Sequence, residues 1–339
     1  MTTHPAVRGA FGLASLVLLS FFIVLLMNPE ALRSLPIMEN PNVQTFKTMF
    51  VSITLEAFPF ILLGVLVSSL IQVFVPESFI RRLVPKHPIL GAGAGALLGF
   101  VFPVCECGMV PVARRLIRKG MPVYAAVAFL LAGPILNPVV WSATYMAFRF
   151  EPAVLYSRMG LAFAVATVVA LAVFRWVRYD PMKPAPAHAH DHSHDHARKH
   201  NSGGAGKLLD TFDHASGEFF DMGKYLIFGA FLTALMQTFV PRSALVGIAE
   251  QEWAANAFMM GFAYILSICS TSDAFVAASL AATFAPASLV AFLVFGPMLD
   301  LKSTLMLLSV FKARFVASLA ALVAAAVWVG AYITGLIID

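Results

Sequence analysis

Charge is what this sequence has least of. Asp, Glu, Lys and Arg together make up 12% of its 339 residues, about half of the ~25% common in soluble domains. That scarcity excludes an ordinary soluble enzyme, a disordered chain and a nucleic-acid binder, even though the formal net charge is +5. Cysteine is scarce too. Cys105, Cys107 and Cys269 are too few, and odd in number, for a disulfide framework. No phosphate-binding loop, zinc-protease pattern or Ser/His/Asp arrangement occurs, so neither enzyme activity nor a cofactor is expected. No small-x-small cleavage site follows the first apolar segment, 9–27; the chain continues Asn28-Pro29-Glu30. That segment reads as an uncleaved spanning helix.

What is present is apolar sequence. Sixty per cent of the residues are hydrophobic, and at about 20 residues per crossing the chain has room for about seven to ten spans. Apolar stretches of spanning length recur at 48–75, 121–147, 153–174, 219–240, 287–308 and 315–335. The segments 88–118 and 254–283 differ, because small polar residues interrupt each in its middle. The one long polar stretch, 175–217, contains the run "HAHDHSHDHARKH". His188, His190, His192, His194, His196 and His200 in it form a candidate peripheral metal tract. The plainer reading is a solvated linker with incidental metal affinity.

The two sides of this linker are alike. "GVLVSSLIQVFVP" aligns with "GAFLTALMQTFVP", which sets Glu56 opposite Asp221. "PVCECGMVPVARRL" aligns with "SICSTSDAFVAASL", and "AFLLAGPILN" with "AFLVFGPMLD". Matches in the same order at a nearly constant offset argue for duplication rather than shared greasy composition. The expected organisation is a first span and loop over 1–45, a repeat over 46–178, a His-rich cytoplasmic linker over 179–217 and a second repeat over 218–339.

Basic residues set the expected orientation. Arg81, Arg82 and Lys86 precede the 88–118 segment, and Arg114, Arg115, Arg118 and Lys119 end it. Both ends are therefore cytoplasmic, which a re-entrant or broken helical hairpin with its tip at 105–108 satisfies. A rival arrangement makes each such hairpin one or two true spans. Gly91, Gly93, Gly95 and Gly99 would let the hairpin pack closely. Continuing the chain gives seven spans and two hairpins, with the N-terminus and the regions 76–88, 114–120 and 175–217 inside. Lys302, Lys312 and Arg314 flank a further inner loop, and 28–46 and 241–254 lie outside. The fold class expected is an all-α polytopic membrane protein of two inverted repeats, each carrying a Gly-Pro-broken helix. Such repeats place a substrate near the midplane at their interface.

Polar groups inside hydrocarbon need partners or a task. Cys105-Glu106-Cys107-Gly108 offers two thiols flanking a carboxylate at a predicted tip. Its counterpart is Cys269-Ser270-Thr271-Ser272-Asp273. Thiols are soft ligands, and three meet at the midplane if the tips converge. Any one cysteine taken alone reads as a small buried hydrophobe, but the CxC pair beside Glu106 points to function; the hydroxyls of Ser270, Thr271 and Ser272, each taken singly, read first as partners for freed backbone. Gly133-Pro134 with Asn137, and Gly296-Pro297 with Asp300, mark helix breaks whose exposed backbone can hold a solute. The alternative is a simple proline kink. Glu56, Glu106, Asp273 and Asp300 are candidates for carrying a coupling proton, and Asp300 is also placed to pair with Lys302. A thiol that takes a thiophilic centre gives up its proton, so binding is pH-dependent.

The stretch "FPVCECGMVPVARRLIRKGMPVYAAVAFLLAGPILNP", with "CSTSDAFVAASL" and "GPMLD", resembles the predicted-permease family that contains the organoarsenical efflux permease ArsP and the YraQ-type permeases. The matching residues are Cys105, Cys107, Gly108, Pro111, Gly133, Pro134, Asn137, Cys269, Ser270, Asp273, Gly296, Pro297 and Asp300. Glu106 stands where many members have a small residue such as Ser. The resemblance implies export of a small solute across the inner (plasma) membrane, a trivalent organoarsenical being the characterised case. A soft or divalent metal ion is the alternative substrate, and a non-transporting metal sensor built on the His tract the alternative function. The expected partners are the lipid bilayer and a small molecule or ion, with no nucleic acid.

Overall fold

A computed structural model describes residues 40–76, 78–80, 84–85, 87–101, 105–177, 179–183, 204–239 and 252–338. The first proposed span and the six histidines of the tract lie outside these residues. The chain divides into two compact units, 1–49 and 50–339. Of the first, only the opening of one helix is described.

The described residues form helices: α1 (Pro41–Phe74), α2 (Pro88–Val101), α3 (Glu106–Arg118), α4 (Val123–Leu136), α5 (Pro138–Ala147), α6 (Pro152–Trp176), α7 (Gly204–Phe239), α8 (Glu252–Leu266), α9 (Asp273–Leu280), α10 (Pro286–Met298), α11 (Leu301–Val310) and α12 (Ala313–Ile338). Five stretches among them are long and apolar enough to cross a membrane: α1, α4–α5, α6, α10–α11 and α12. The protein is therefore an all-helical, multi-pass membrane protein. Burial separates these stretches into two kinds. The windows in α4–α5 and α10–α11 are 78% and 83% buried, against 22–39% for the other three. A helix apolar on every side belongs in a protein interior, and "VYAAVAFLLAGPIL" of α4 is such a sequence. The two interrupted spans thus form the centre.

Packing follows the same order in both halves. α2 lies on α4 as α8 lies on α10, and α4 lies on α6 as α10 lies on α12. The halves meet where α12 packs on α6 and α10 on α4 and α6, and the short helices cross over as well: α11 packs on α3, and α5 packs on α9. Each short helix that follows a break therefore supports the discontinuity of the other half.

The glycines expected to permit close packing do so at three of four positions. A Cβ on Gly99 would stand 2.6 Å from the Cα of Gly133, one on Gly95 would meet the Ala125 carbonyl, and one on Gly91 would strike the Tyr124 ring. Gly93 has nothing within 4 Å. In the same way Gly64 of α1 abuts the backbone of Gly108, 2.6 Å from its Cα to a Cβ built there. Gly108 of α3 and Gly133 of α4 are thus at close helix contacts.

The breaks are displaced from where the sequence suggests. Gly133-Pro134 and Gly296-Pro297 lie inside α4 and α10, which end at Leu136 and Met298, within two residues of each proline. A proline near the C-terminal end of a helix removes one donor without ending the turn. The interruption comes at Asn137 and at Leu299–Asp300, which are extended. Pro138 then opens α5 at a position where its missing N–H costs nothing.

Candidate functional site

Each break is held by the side chain sequence reasoning singled out, in a capping role. Asn137 Oδ1 accepts from the Val140 N–H at 2.9 Å, while Nδ2 donates to the Gly133 and Pro134 carbonyls, both at 3.3 Å. One amide closes the end of α4 and the start of α5. Asp300 caps α11 through a reciprocal pair: Oδ1 accepts from Ser303 N–H at 2.5 Å, and Ser303 Oγ accepts from Asp300 N–H at 3.0 Å. Both are N-cap residue types for the same reason, a short side-chain acceptor.

Cys105 is the extended residue before α3, so Glu106 and Cys107 stand on the first turn of that helix. The turn 270–272 precedes α9 in the same way. Cys105, Glu106, Cys107, Cys269, Lys302 and Glu56 line one cavity of about 10 Å³, room for about one water. All three thiols are buried and free. Thr271 Oγ1 lies 3.6 Å from Cys269 Sγ. Glu56 is exposed on α1 and faces the same cavity. Gly133, Pro134, Asn137, Gly296 and Pro297 do not line it. Ser272 is exposed.

Lys302 corrects one expectation. It does not flank a surface loop; it is buried one residue into α11. Its Nζ lies 3.5 Å from Glu106 Oε1 and 3.8 Å from Asp300 Oδ2, and donates to the Ser267 carbonyl at 3.2 Å. Ser267 has φ 45°, in the left-handed region. It is tied there on both sides: its Oγ donates to the Tyr264 carbonyl at 3.0 Å and accepts from Leu301 N–H at 3.1 Å. Residue strain of this kind persists only where the surroundings fix it.

Arg158 was missed altogether. It is fully buried on α6 and makes a dense set of contacts: Nη2 to both Asp273 oxygens at 2.8 and 3.0 Å and to the Ser270 carbonyl at 3.1 Å, and Nη1 to Thr144 Oγ1 at 2.8 Å. The signal was available, since a lone arginine stands in the otherwise apolar "LYSRMGLAFAVATVV". An ionisable residue in a span is a site by default. The carboxylates on the first turns of α3 and α9 are thus each paired with a cation from the other half, Glu106 with Lys302 and Asp273 with Arg158.

Comparison with known proteins shows the family. The predicted-permease family ArsP_1 matches residues 42–336. The chain belongs to that family. The protein YcgR of Bacillus subtilis is 47% identical over 271 residues, covering 79% of this chain and 90% of YcgR. A Streptococcus mutans protein described as a putative two-component membrane permease complex subunit is 38% identical over 272 residues, 79% of this chain and 87% of that one. YraQ of Escherichia coli is 30% identical over 124 residues, 37% of this chain. No solved structure matches the chain. Among the described residues, no group of three or more His, Cys, Asp or Glu is arranged to hold a metal ion.

Proposed function

We propose that this permease exports a small thiophilic solute, such as a trivalent (organo)arsenical, across the inner membrane by ion coupling. The observation that carries the reading is the meeting of Cys105 and Cys107 from one half with Cys269 from the other in one buried cavity. Soft ligands on both sides of a repeat interface suit a soft centre. Glu106, Ser270, Thr271, Asp273 and Asp300 shape that site, and the cavity, too small for the solute as it stands, represents an occluded state. Opening it to either side requires the crossed helices α3–α11 and α5–α9 to separate. The repeats 46–178 and 218–339 are inverted in this reading, and rocking of one against the other supplies alternating access. A soft or divalent metal ion is less well served, because the thiols and carboxylates are not arranged as a ready metal cage. The name of the streptococcal relative suggests a second subunit, which would form part of the working transporter.

Growth of a sensitive host expressing the chain, challenged with arsenicals, antimonials and soft metals, tests the function. Protection and lowered cell content are expected for a trivalent organoarsenical. Unchanged content for every solute would remove the reading.

In the orientation we propose, 76–88, 114–120 and the linker face the cytoplasm, with 28–46 and 241–254 outside. Lys119 supports a fixed position at the end of α3, since its Nζ donates to the Gln72 and Val75 carbonyls at the end of α1. Cysteine placed at 119 in a cysteine-free chain should resist an impermeant reagent added from outside. Rapid labelling there would refute the re-entrant hairpin.

A further inference from the structure

Two ion pairs cross between the halves, and they are built differently. Arg158 meets Asp273 through short hydrogen bonds to both carboxylate oxygens and has two further acceptors. Lys302 stands farther from its carboxylates, at 3.5 and 3.8 Å. Glu106 Oε2 and Asp300 Oδ2 are buried with no hydrogen-bond partner. Those residues are 5% and 1% exposed.

Among the described residues the buried charged side chains are Glu106, Arg158, Asp273, Asp300 and Lys302. Arg158 and Asp273 balance. Lys302 is a single cation against two carboxylates, and the three thiols add no charge while protonated. The N-termini of α3 and α11 point partial positive charge at the two carboxyls, but a dipole brings no net charge. One negative charge therefore remains in a membrane interior, where an unbalanced charge is neutralised rather than tolerated. The neutralising species must be small, because the space is about 10 Å³. A hard metal cation asks for six or more oxygen ligands, or a nearly full shell with waters. This cavity is lined by Glu56, Glu106, three thiols and an ammonium, with Asp300 behind Lys302, too few oxygens for such a cation.

We propose that Glu106 and Asp300 share one exchangeable proton beside Lys302, and that this proton is what the permease exchanges for its solute. The proton leaves as the O–H of one carboxyl ionises to water on the side to which the cavity opens. It leaves one negative charge, which one positive charge on the solute beside the thiols then offsets. The carboxyl pair gives up one proton in this exchange, and each further positive charge of the solute is met by a ligating thiol that releases its own proton. Lys302 fixes the number on the carboxyl pair: without it two protons would be held. Asp273 takes no part, since Arg158 already balances it; Glu56 lines the same cavity but is exposed on α1 and is not among the buried charges. The coupling role rests on the permease reading; the shared proton does not.

Infrared spectroscopy of the full-length chain in liposomes at neutral pH, with no solute, reads the protonated carboxyl directly by its carbonyl band and its shift in heavy water. One group's intensity is expected in the unmodified protein. Both Glu106→Gln and Asp300→Asn should abolish it, because each leaves one carboxylate balanced by Lys302. Lys302→Met should double it, and Glu106→Gln combined with Lys302→Met should restore it to one, which serves if a single variant fails to fold. Glu56→Gln should leave it unchanged. A band that survives both carboxyl variants, or one that appears only when sodium is replaced by choline, would overturn the proposal, the latter in favour of a bound metal cation. An intact band with no solute export would count against the permease reading alone.

Discussion

Transport should fall at least about tenfold in Cys105→Ser and in Cys107→Ser, with membrane abundance unchanged. The serine hydroxyl is smaller, hard and a poor partner for a thiophilic centre. Loss of even an outer partner of a ligated centre costs about 10- to 100-fold in affinity or activity, and these residues would contact the solute itself. Both thiols are buried, yet neither anchors a hydrogen bond on which the fold depends. Cys105 precedes α3 with no side-chain cap bond, so serine there leaves the backbone as it is. Solute uptake into everted vesicles, at several concentrations and pH values, is the measurement. Cys269→Ser should show the smaller loss, because Cys269 comes alone from its half. Full activity in both Cys105→Ser and Cys107→Ser would remove the thiol mechanism. The solute would then have to bind through backbone freed at the breaks, and the capping seen at Asn137 and Asp300 leaves little of that backbone unpaired.

The helical membrane fold, the interrupted central spans and the convergence of the three cysteines were legible in the sequence because each leaves a local mark. Apolar length marks a span, a small polar insertion marks a discontinuity, and the CxC motif stands at one. The exact break was not legible. Gly-Pro attracts attention, but a proline near a helix end only weakens the last turn, while the residue that ends the helix is the one able to cap both sides. Asn137 and Asp300 carried that information in their side chains. Lys302 misled for a related reason. Basic residues near span ends are counted as loop residues, and nothing local distinguishes a lysine one residue past a break inside the protein from one at a surface. Its partner Glu106 lies almost two hundred residues away, and only the crossing of α11 onto α3 joins them. Arg158 was visible as an isolated charge, but its meaning depends on Asp273 from the other half. Pairings between halves are properties of topology, and a single sequence holds them only implicitly.

Arg158 is also where the largest loss of stability is expected. Its guanidinium is fully buried, and its pair with Asp273 is 2.8 Å long. Removing one member of a buried pair leaves an uncompensated charge and costs about 3–5 kcal/mol. Arg158→Met should therefore reduce accumulation sharply and lower the unfolding temperature in detergent, and so should Asp273→Leu. The double variant should regain most of that loss, since a well-packed apolar replacement of a buried pair is often neutral or better. This pattern separates two views of Asp273. If its carboxylate is there to hold Arg158, and through it the turn 270–272 and Thr144 on α5, the double variant is stable and exports solute at a reduced rate. If instead Asp273 carries the coupled proton, the double variant is stable but its export no longer responds to a pH gradient. The geometry favours the first outcome, because both Asp273 oxygens are already engaged by one guanidinium nitrogen, whereas Glu106 and Asp300 each keep a buried oxygen with no hydrogen-bond partner.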